Sequence, residues 1–326
     1  MKFFLITVIY YLVLILPLLL SIAFFTLIER HIISSVQRRQ GPNITGFYGL
    51  LQPIADGVKL ILKESILPKS SNILIFYFAP IFTFTLALAN WVVLPLGEGL
   101  VLIDINIGIL YIFALSSLSV HSIIMSGWAS NSKYAFLGAL RSAAQMISYE
   151  LSLGLTILSV LICAGTLNLT EIVIAQSKYF NILILFPMFI VFYICALAET
   201  NRHPFDLPEA ESELVSGYNV EYSAAAFALF FLAEYGNILV MSFLTVIFFL
   251  GGWYPIFNFL SFIPGIFWIV GKAFCFILLF VLIRAVLPRY RYDQLMRLGW
   301  KVFLPMSLSF FCLLVNFLVS FNLLNF

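Results

Sequence analysis

The sequence has 326 residues, of which 63% are hydrophobic and only 10% charged, and its mean hydropathy is +1.08. Water-soluble domains are closer to half apolar and a quarter charged, so this composition excludes a soluble globular, disordered, collagen-like or coiled-coil protein. The formal net charge of +2 is too small to indicate binding to nucleic acid. The chain therefore needs a lipid bilayer as its solvent, and the position of each remaining charged residue becomes informative.

Apolar runs separated by charged residues, glycine and proline predict an all-α polytopic membrane protein with about eight transmembrane helices, since one such helix needs about 20 residues. The predicted spans are residues 3–28, 73–95, 107–126, 142–165, 181–199, 223–250, 265–286 and 302–322. The first run is longer than a signal-peptide core of about 7–15 residues and ends at Glu29 and Arg30, so we interpret it as a retained helix. Residues 1–326 are predicted to form a single transmembrane domain.

The basic residues predict the orientation of these helices. All Lys and Arg residues except Lys2, Lys178 and Lys272 lie in or beside the first, third, fifth and seventh loops. Loops that face the cytoplasm or the matrix are enriched in Lys and Arg. The odd-numbered loops are therefore predicted on that side, and both termini on the other.

The first loop contains a predicted amphipathic helix that begins at Pro53, because proline is favoured at the first helical position. Its apolar side chains recur at helical spacing, at Ile54, Val58, Ile61 and Leu62. The opposite stripe is polar and consists of Asp56, Lys59 and Lys63. Such a helix is predicted to lie at the membrane interface.

Three carboxyl groups lie in or beside the spans on the basic side. Glu199 closes the fifth span, whereas Glu150 and Glu234 lie about 13 Å and about 16 Å below that surface, at 1.5 Å per residue. A charge at the centre of the bilayer costs at least about 2.5–3.5 kcal/mol, so acids at graded depths indicate a proton path or a water-filled cavity. The alternative is structural pairing with a neighbour such as Arg141 or Lys272.

Acidic residues are also concentrated in the fifth loop. Five of the 15 acidic residues of the chain lie there, at Asp206, Glu209, Glu211, Glu213 and Glu221. Because this loop is on the basic side, the cluster favours a funnel for protons or a docking site for a partner. A solvated loop surface is the simpler alternative.

The residues that bind metals and redox cofactors are sparse. The four cysteines, at positions 163, 195, 275 and 312, lie far apart in apolar runs and form no C-x-x-C pair. Only His121 lies near a span end, with no second intramembrane histidine to complete a haem site. No Walker loop, dinucleotide fingerprint or nucleophile elbow is present. We therefore predict no catalytic residue, metal, haem or iron–sulfur cluster in this chain.

Seven motifs together resemble subunit 1 of NADH:ubiquinone oxidoreductase, respiratory complex I. They are Glu29-Arg30, residues 40–43 (QGPN), 49–59 (GLLQPIADGVK), 127–131 (GWASN), 141–150 (RSAAQMISYE), 198–213 (AETNRHPFDLPEAESE) and 289–294 (RYRYDQ). The resemblance covers nearly the whole chain, and motifs of this length are highly specific. One departure is Gln40, where many relatives carry a basic residue.

The resemblance implies a subunit at the heel of the complex, with ubiquinone as substrate, that joins the membrane arm to the peripheral arm. It implies a quinone chamber near the first and sixth spans and the first-loop helix, with Arg30, Arg39, Asp56 and Arg202 close to it. It also implies an acidic path that couples quinone reduction to proton translocation, consisting of Glu150, Glu199, Glu234, Asp206, Glu209, Glu211 and Glu213. Flavin and iron–sulfur clusters would belong to other subunits, and the isolated chain would have no activity.

The implied partners are the quinone-module subunits of the peripheral arm, neighbouring membrane-arm subunits and the lipid bilayer. The compact length favours the mitochondrial inner membrane, with both termini in the intermembrane space, over a bacterial plasma membrane. Three alternatives stay open: a membrane subunit of a related hydrogenase-type complex, a stand-alone ion or proton transporter, and a structural anchor without chemistry. Co-purifying soluble subunits would separate the first of these from complex I.

Overall fold

A computed structural model of the chain describes residues 2–206, 217–256 and 262–321, and these residues form helices without any β-strand. The α-helices are α1 (Lys2–Val36), α2 (Gln52–Leu62), α3 (Ile73–Asn90), α4 (Gly108–Ala129), α5 (Lys133–Ala164), α6 (Leu169–Ala175), α7 (Asn181–Ile184), α8 (Phe186–Glu199), α9 (Ala224–Phe249), α10 (Gly265–Val286), α11 (Tyr292–Leu298) and α12 (Leu304–Ser320). A π-helical turn, Gly299–Phe303, joins α11 to α12. The predicted all-α membrane fold is confirmed.

Within the described residues, seven helical segments are long and apolar enough to cross a membrane. They are α1, α3, α4, α5, α9, α10 and the continuous segment from α11 to α12. The fifth predicted span differs, because it is divided at Leu185 into α7 and α8. Pro187 lies in the first turn of α8, where its missing N–H is tolerated, but it would interrupt a helix that continued from α7. Helix α8 has 14 residues and is about 21 Å long.

Several spans are longer than predicted on the basic side, α1 and α5 among them. Helix α1 continues from residue 28 to Val36, so Glu29 and Arg30 are helical rather than in a loop. Helix α5 begins at Lys133 instead of 142, where the Ser132 hydroxyl accepts a hydrogen bond from the Ala135 N–H at 3.3 Å. The helices continue because neither stretch contains proline, and a polar residue at the end of a span does not end a helix.

Helix α9 lies at the centre of the bundle. Its residues from Ile238 to Phe249 are all buried, and it packs against α1, α3, α8 and α10. Helix α5 forms a second centre, packed against α4, α8 and α12. The segment after α8, residues 200–206, therefore begins where the two centres meet.

Helices α4 and α5 approach each other closely through small residues. A Cβ on Gly127 of α4 would lie 2.3 Å from the Cβ of Ala139 of α5. Elsewhere on α5, a Cβ on Gly138 would lie 2.8 Å from the backbone of Gly217, which lies in the segment before α9. These distances are shorter than van der Waals contact, so only glycine allows this packing. The close contact sets the position of α5, which carries Glu150.

Candidate functional site

A buried carboxylate joins three helices on the basic side. Glu29 of α1 is only 5% exposed and accepts a hydrogen bond from the hydroxyl of Tyr235 of α9 at 2.6 Å. Arg284 of α10 forms an ion pair and a hydrogen bond with the same carboxylate, and Arg202 Nη1 lies 3.6 Å from it. The guanidinium group of Arg202 also lies over the ring of Tyr235, 4.4 Å from its centre. We call Glu29, Arg202, Tyr235 and Arg284 the Glu29 cluster.

Two guanidinium groups, those of Arg202 and Arg284, face the single carboxylate of Glu29. A buried ion pair stays ionised when further hydrogen bonds satisfy its lone pairs, as the hydroxyl of Tyr235 does here. Sequence reasoning identified Arg202 but missed Glu29, Tyr235 and Arg284 as site residues. The signal for Glu29 was its position between an apolar run and a loop, whereas Arg284 was read only as evidence of orientation.

The next residue of α1, Arg30, belongs to a second group of charged residues. Arg30 Nη1 lies 2.8 Å from the carboxylate of Asp56, which joins α1 to α2. Gln52 Nε2 donates to the same carboxylate at 2.9 Å, and the Thr45 hydroxyl donates to Gln52 at 2.7 Å. Arg30 and Asp56, both predicted for the quinone chamber, are therefore in direct contact, and Asp56 is held in place by polar neighbours.

Two cavities flank this end of α1. The first, of about 430 Å³, is lined by Arg30, Ile33, Ser34, Arg39, Gln40, Gly41 and Pro42. Arg39, the remaining predicted residue, lines this cavity and donates through Nε to Gln37 at 2.8 Å. The second, of about 760 Å³, is apolar and extends along α1 beside α9 and α10; its lining includes Leu18, Phe25, Ile28, Leu239, Phe243 and Ile277. It reaches Ile28, the residue before Glu29.

The three intramembrane acids lie on three different helices. Glu150 of α5 accepts a hydrogen bond from the Ser116 hydroxyl of α4 at 3.3 Å, and Ser116 also lines a cavity with Glu199. Glu234 of α9 accepts a hydrogen bond from the Tyr218 hydroxyl at 2.6 Å. Glu199 ends α8, and its buried Oε2 has no hydrogen-bond partner among the described residues.

Small internal cavities adjoin Glu199 on more than one side. One of about 20 Å³ is lined by Glu199, Ser116 and Asn237, and a second of about 40 Å³ by Glu199, Glu234 and Asn201. A cavity needs roughly 10–15 Å³ to hold one water molecule. Ser116 and the two cavities therefore connect the three acids through polar atoms and spaces of the size of water molecules.

The described part of the fifth loop is tied to the seventh loop. Arg289 Nη2 lies 3.0 Å from the carboxylate of Asp206, and Arg289 Nε donates to His203 Nε2 at 3.1 Å. Burial and the nearby Arg289, Arg284 and Arg202 lower the pKa of His203 to about 4. His203 is therefore neutral at pH 7, and its 3.4 Å contact with Asp206 is not an ion pair. Glu209, Glu211 and Glu213 lie outside the described residues.

Gln145 of α5 fixes the beginning of this loop. Its fully buried amide nitrogen lies 2.9 Å from the carbonyl oxygen of Ala198 and 2.8 Å from that of Phe205. The single side chain therefore satisfies carbonyl groups on both sides of residues 199–204. Sequence reasoning noted Gln145 within a motif but assigned it no role.

Lys272 pairs with backbone rather than with an acid in the described structure. Its ammonium group donates to the carbonyl oxygens of Leu250, Gly252 and Tyr254 at 2.7, 3.0 and 2.7 Å. Carbonyl groups at the end of a helix carry a partial negative charge that favours a cation. Lys272 thus caps the C-terminal end of α9, away from the Glu29 cluster. The suggested pairing of Lys272 with an intramembrane acid is not observed among the described residues.

Comparisons with known proteins agree on one family. A family model described as NADH dehydrogenase matches residues 9–315. The NADH-ubiquinone oxidoreductase chain 1 of Chondrus crispus is 62% identical over 310 residues, which are 94% of this chain and 95% of that protein. The protein of the same name from Arabidopsis thaliana is 58% identical, with 94% and 95% covered. An NADH-quinone oxidoreductase subunit of Paramagnetospirillum magneticum is 58% identical, with 94% and 91% covered. The chain therefore belongs to the NADH dehydrogenase family of membrane subunits.

Proposed function

We propose that this chain is the membrane subunit of a proton-translocating NADH:ubiquinone oxidoreductase that forms part of the quinone chamber and of the acidic path that couples quinone reduction to proton movement. The names of the relatives support the reaction and its substrate. The contacts at the end of α1 and around Glu199 support the two structural roles. Peripheral-arm quinone-module subunits and other membrane-arm subunits are the proposed partners.

The region around α1 suits an amphipathic ligand such as a quinone. The 430 Å³ cavity offers Arg30 and Arg39 at one end of α1, and the 760 Å³ cavity offers an apolar wall along the same helix. A quinone has a polar head group and a long isoprenoid tail, so these environments match its two parts. Asp56, held by Arg30 and Gln52, contributes a negative charge beside the head group.

One observation carries the proposed coupling: the consecutive residues Asn201 and Arg202 belong to different parts of the site. Asn201 lines the cavity shared by Glu199 and Glu234, whereas Arg202 contacts Glu29 and Tyr235. Asn201 has a φ of 50°, a left-handed conformation that asparagine tolerates better than most residues. The backbone reversal at this position lets a single peptide unit connect the Glu29 cluster to the acids.

The proposed mechanism follows from charge balance. Reduction of a quinone to a quinol consumes two electrons, supplied by partner subunits, and two protons. Movement of charge near Arg30 and Asp56 changes the electrostatic potential at Glu29, which is adjacent to Arg30 in sequence and is contacted by two guanidinium groups. A shift of the Arg202 side chain, or of the electrostatic potential around it, then reaches Asn201 and the cavity that Glu199 and Glu234 share. Glu199, Glu150 and Glu234 exchange protons through Ser116, Tyr218 and water in the small cavities.

The proposed location is the mitochondrial inner membrane, with the Glu29 cluster and the odd-numbered loops on the matrix side and both termini on the other side. The distribution of Lys and Arg supports this orientation. A bacterial plasma membrane is the alternative location.

A Glu234→Gln substitution tests the proposed function. The variant retains a hydrogen-bond acceptor for Tyr218 but cannot release a proton, so NADH:ubiquinone turnover coupled to proton pumping is expected to fall about tenfold or more. The measurements are NADH oxidation and proton uptake in sealed membranes, normalised to the amount of assembled complex. Glu171→Gln, at an exposed glutamate in α6, is the matched control and is expected to retain both activities. Unchanged turnover and pumping in Glu234→Gln would contradict the assignment.

A further inference from the structure

Helix α4 presents one stripe of side chains away from the rest of the chain. Leu110, Ala114, Ser117, His121 and Trp128 are separated by four, three, four and seven residues, so they lie on one face of the helix. Leu110 and Trp128 are 53% and 57% exposed, and Ala114 and His121 are also exposed. Helix α4 packs against α3 and α5, so this stripe lies on the side that neither neighbour covers.

His121 is unusual for a side chain on the outer surface of a transmembrane helix. It lies eight residues before the end of α4, about 12 Å along the helix axis. Ionisable residues within a membrane nearly always face the interior of a protein or a polar cavity, because lipid cannot solvate them. Helix α4 is among the segments that can span the membrane, so an exposed His121 needs a polar neighbour from outside the chain.

The hydrogen bond of His121 determines what that neighbour must supply. Its Nδ1 lies 3.2 Å from the carbonyl oxygen of Ser117, and because a carbonyl oxygen only accepts, Nδ1 carries the hydrogen. In a neutral imidazole, Nε2 is then an acceptor. The complementary group is a donor such as a hydroxyl, a carboxamide or a protonated carboxyl group.

The residues next to His121 favour a helix over lipid as the neighbour. Ala114 and Ser117 precede His121 on the same stripe, and small residues are enriched where two helix backbones approach closely within a membrane. A surface that faces lipid gains nothing from small or polar side chains. Glu150 of α5, which is half-buried and bound to Ser116, flanks the same region.

We propose that the α4 stripe is the docking surface for a transmembrane helix of another subunit, which places a hydrogen-bond donor against His121 Nε2. The proposal rests on the assembly inferred above, and it adds the surface, the contact depth and the chemistry of the partner. The partner helix would pack on Ala114 and Ser117 and would cover the lipid-facing side of α4 near Glu150.

Two pairs of variants test the interface in membranes that contain the assembled complex. His121→Gln keeps an acceptor and is expected to assemble normally, whereas His121→Leu loses it and is expected to lower the assembled fraction by about threefold to tenfold. Ser117→Ala keeps the small volume and is expected to be neutral, whereas Ser117→Phe is expected to prevent close approach. If His121→Leu and Ser117→Phe assemble as well as their matched partners, the proposal is wrong.

A photo-crosslinking experiment does not depend on how these variants fold. A benzophenone side chain placed at Leu118, which borders the stripe and is 42% exposed, is activated in the assembled complex. An adduct with one polypeptide of a different mass is the expected result. An adduct of twice the mass of this chain, or labelling of lipid alone, would overturn the proposal. Because the NADH:ubiquinone rate of the unmodified complex is measured separately, failure here is distinguishable from failure of the proposed function.

Discussion

The contacts of Glu29 are apparent only in the folded structure. In the sequence it ends an apolar run, and nothing nearby predicts that Arg202, Tyr235 and Arg284 converge on it from positions more than 170 residues away. Burial makes these contacts strong, because ionised hydrogen bonds weaken in water and each partner restrains the others. The same burial makes the loss of one partner costly.

The hydroxyl of Tyr235 is the part of this cluster that is simplest to remove. Tyr235→Phe keeps the ring beneath Arg202 but loses the 2.6 Å hydrogen bond to Glu29. A hydrogen bond to a charged group contributes about 1.5–3 kcal/mol, so both the thermal stability and the ubiquinone-reductase rate of the complex are expected to fall. Tyr193→Phe loses a bond to the neutral carbonyl of Phe276 and is the matched control, with a smaller loss of stability and an unchanged rate. If the two variants lose the same stability and the same ubiquinone-reductase rate, the Glu29 cluster has no specific role in that reaction.

His203 makes the stability of the fifth loop depend on pH. Its pKa is about 4 in the folded chain and about 6.5 in an unfolded one, because burial and the cations Arg289, Arg284 and Arg202 disfavour its protonation while Asp206 is also nearby. Between these values the unfolded chain binds the additional proton, so lowering the pH from about 6.5 towards 4 favours unfolding.

His203→Gln is expected to reduce this dependence, because a carboxamide oxygen accepts the hydrogen bond from Arg289 without titrating. The measurement is the thermal unfolding temperature of the purified complex between pH 7.5 and pH 5. The difference between the two proteins should change below about pH 6.5, with the original chain losing more stability. Parallel curves at every pH would show that His203 does not contribute.

At the level of helices, the close contact of α4 with α5 is the feature most sensitive to volume. Gly127→Ala would put a methyl group 2.3 Å from Ala139, so overpacking is expected to cost about 1–3 kcal/mol. Gly154→Ala adds the same group to α5 with no neighbour closer than 4.0 Å, and it is expected to be neutral or slightly stabilising. The yield and thermal stability of the assembled complex distinguish the two. A Gly127→Ala variant as stable as Gly154→Ala would contradict the packing described.

Most helices were predictable from the sequence, because the bilayer requires long apolar runs and leaves few alternatives. The predicted limits of the span 265–286 agree with α10, and the predicted first-loop helix agrees with α2. Apolar runs do not predict the extensions of α1 and α5, because a polar residue ends only the part of a helix that suits lipid and not the helix itself. The division at Leu185 depends on Pro187, which lies within an apolar run and so does not interrupt the apolar pattern.

The candidate site was less predictable than the fold. The acids Glu150, Glu199 and Glu234 were identifiable because carboxyl groups are rare in apolar helices. The connection between these acids was not predictable, because it depends on Ser116, Asn201 and Asn237. These residues do not stand out in the sequence, and only the folded structure places them around Glu199. Gln145 and Tyr235 were missed for the same reason.

At the scale of the whole molecule, we propose that the chain couples a quinone chamber on α1 and α2 to a set of acids around α8. The two regions meet at Asn201 and Arg202, next to each other in the chain. A structural anchor would need the same helices but would not need the acids to ionise. The coupling role and the anchor role therefore predict the same helices, and they differ in whether the acids exchange protons.

The most direct test is the double variant Glu150→Gln and Glu199→Gln, compared with the double variant Glu98→Gln and Glu171→Gln, whose glutamates are exposed. Both are compared by the NADH:ubiquinone rate and by the protons moved per NADH oxidised, at equal amounts of assembled complex. We expect the first double variant to lose about tenfold or more of the coupled rate, because neutral amides cannot relay protons, and the second to retain it. A fully coupled normal rate in the first variant would contradict the central claim and leave the chain as an anchor.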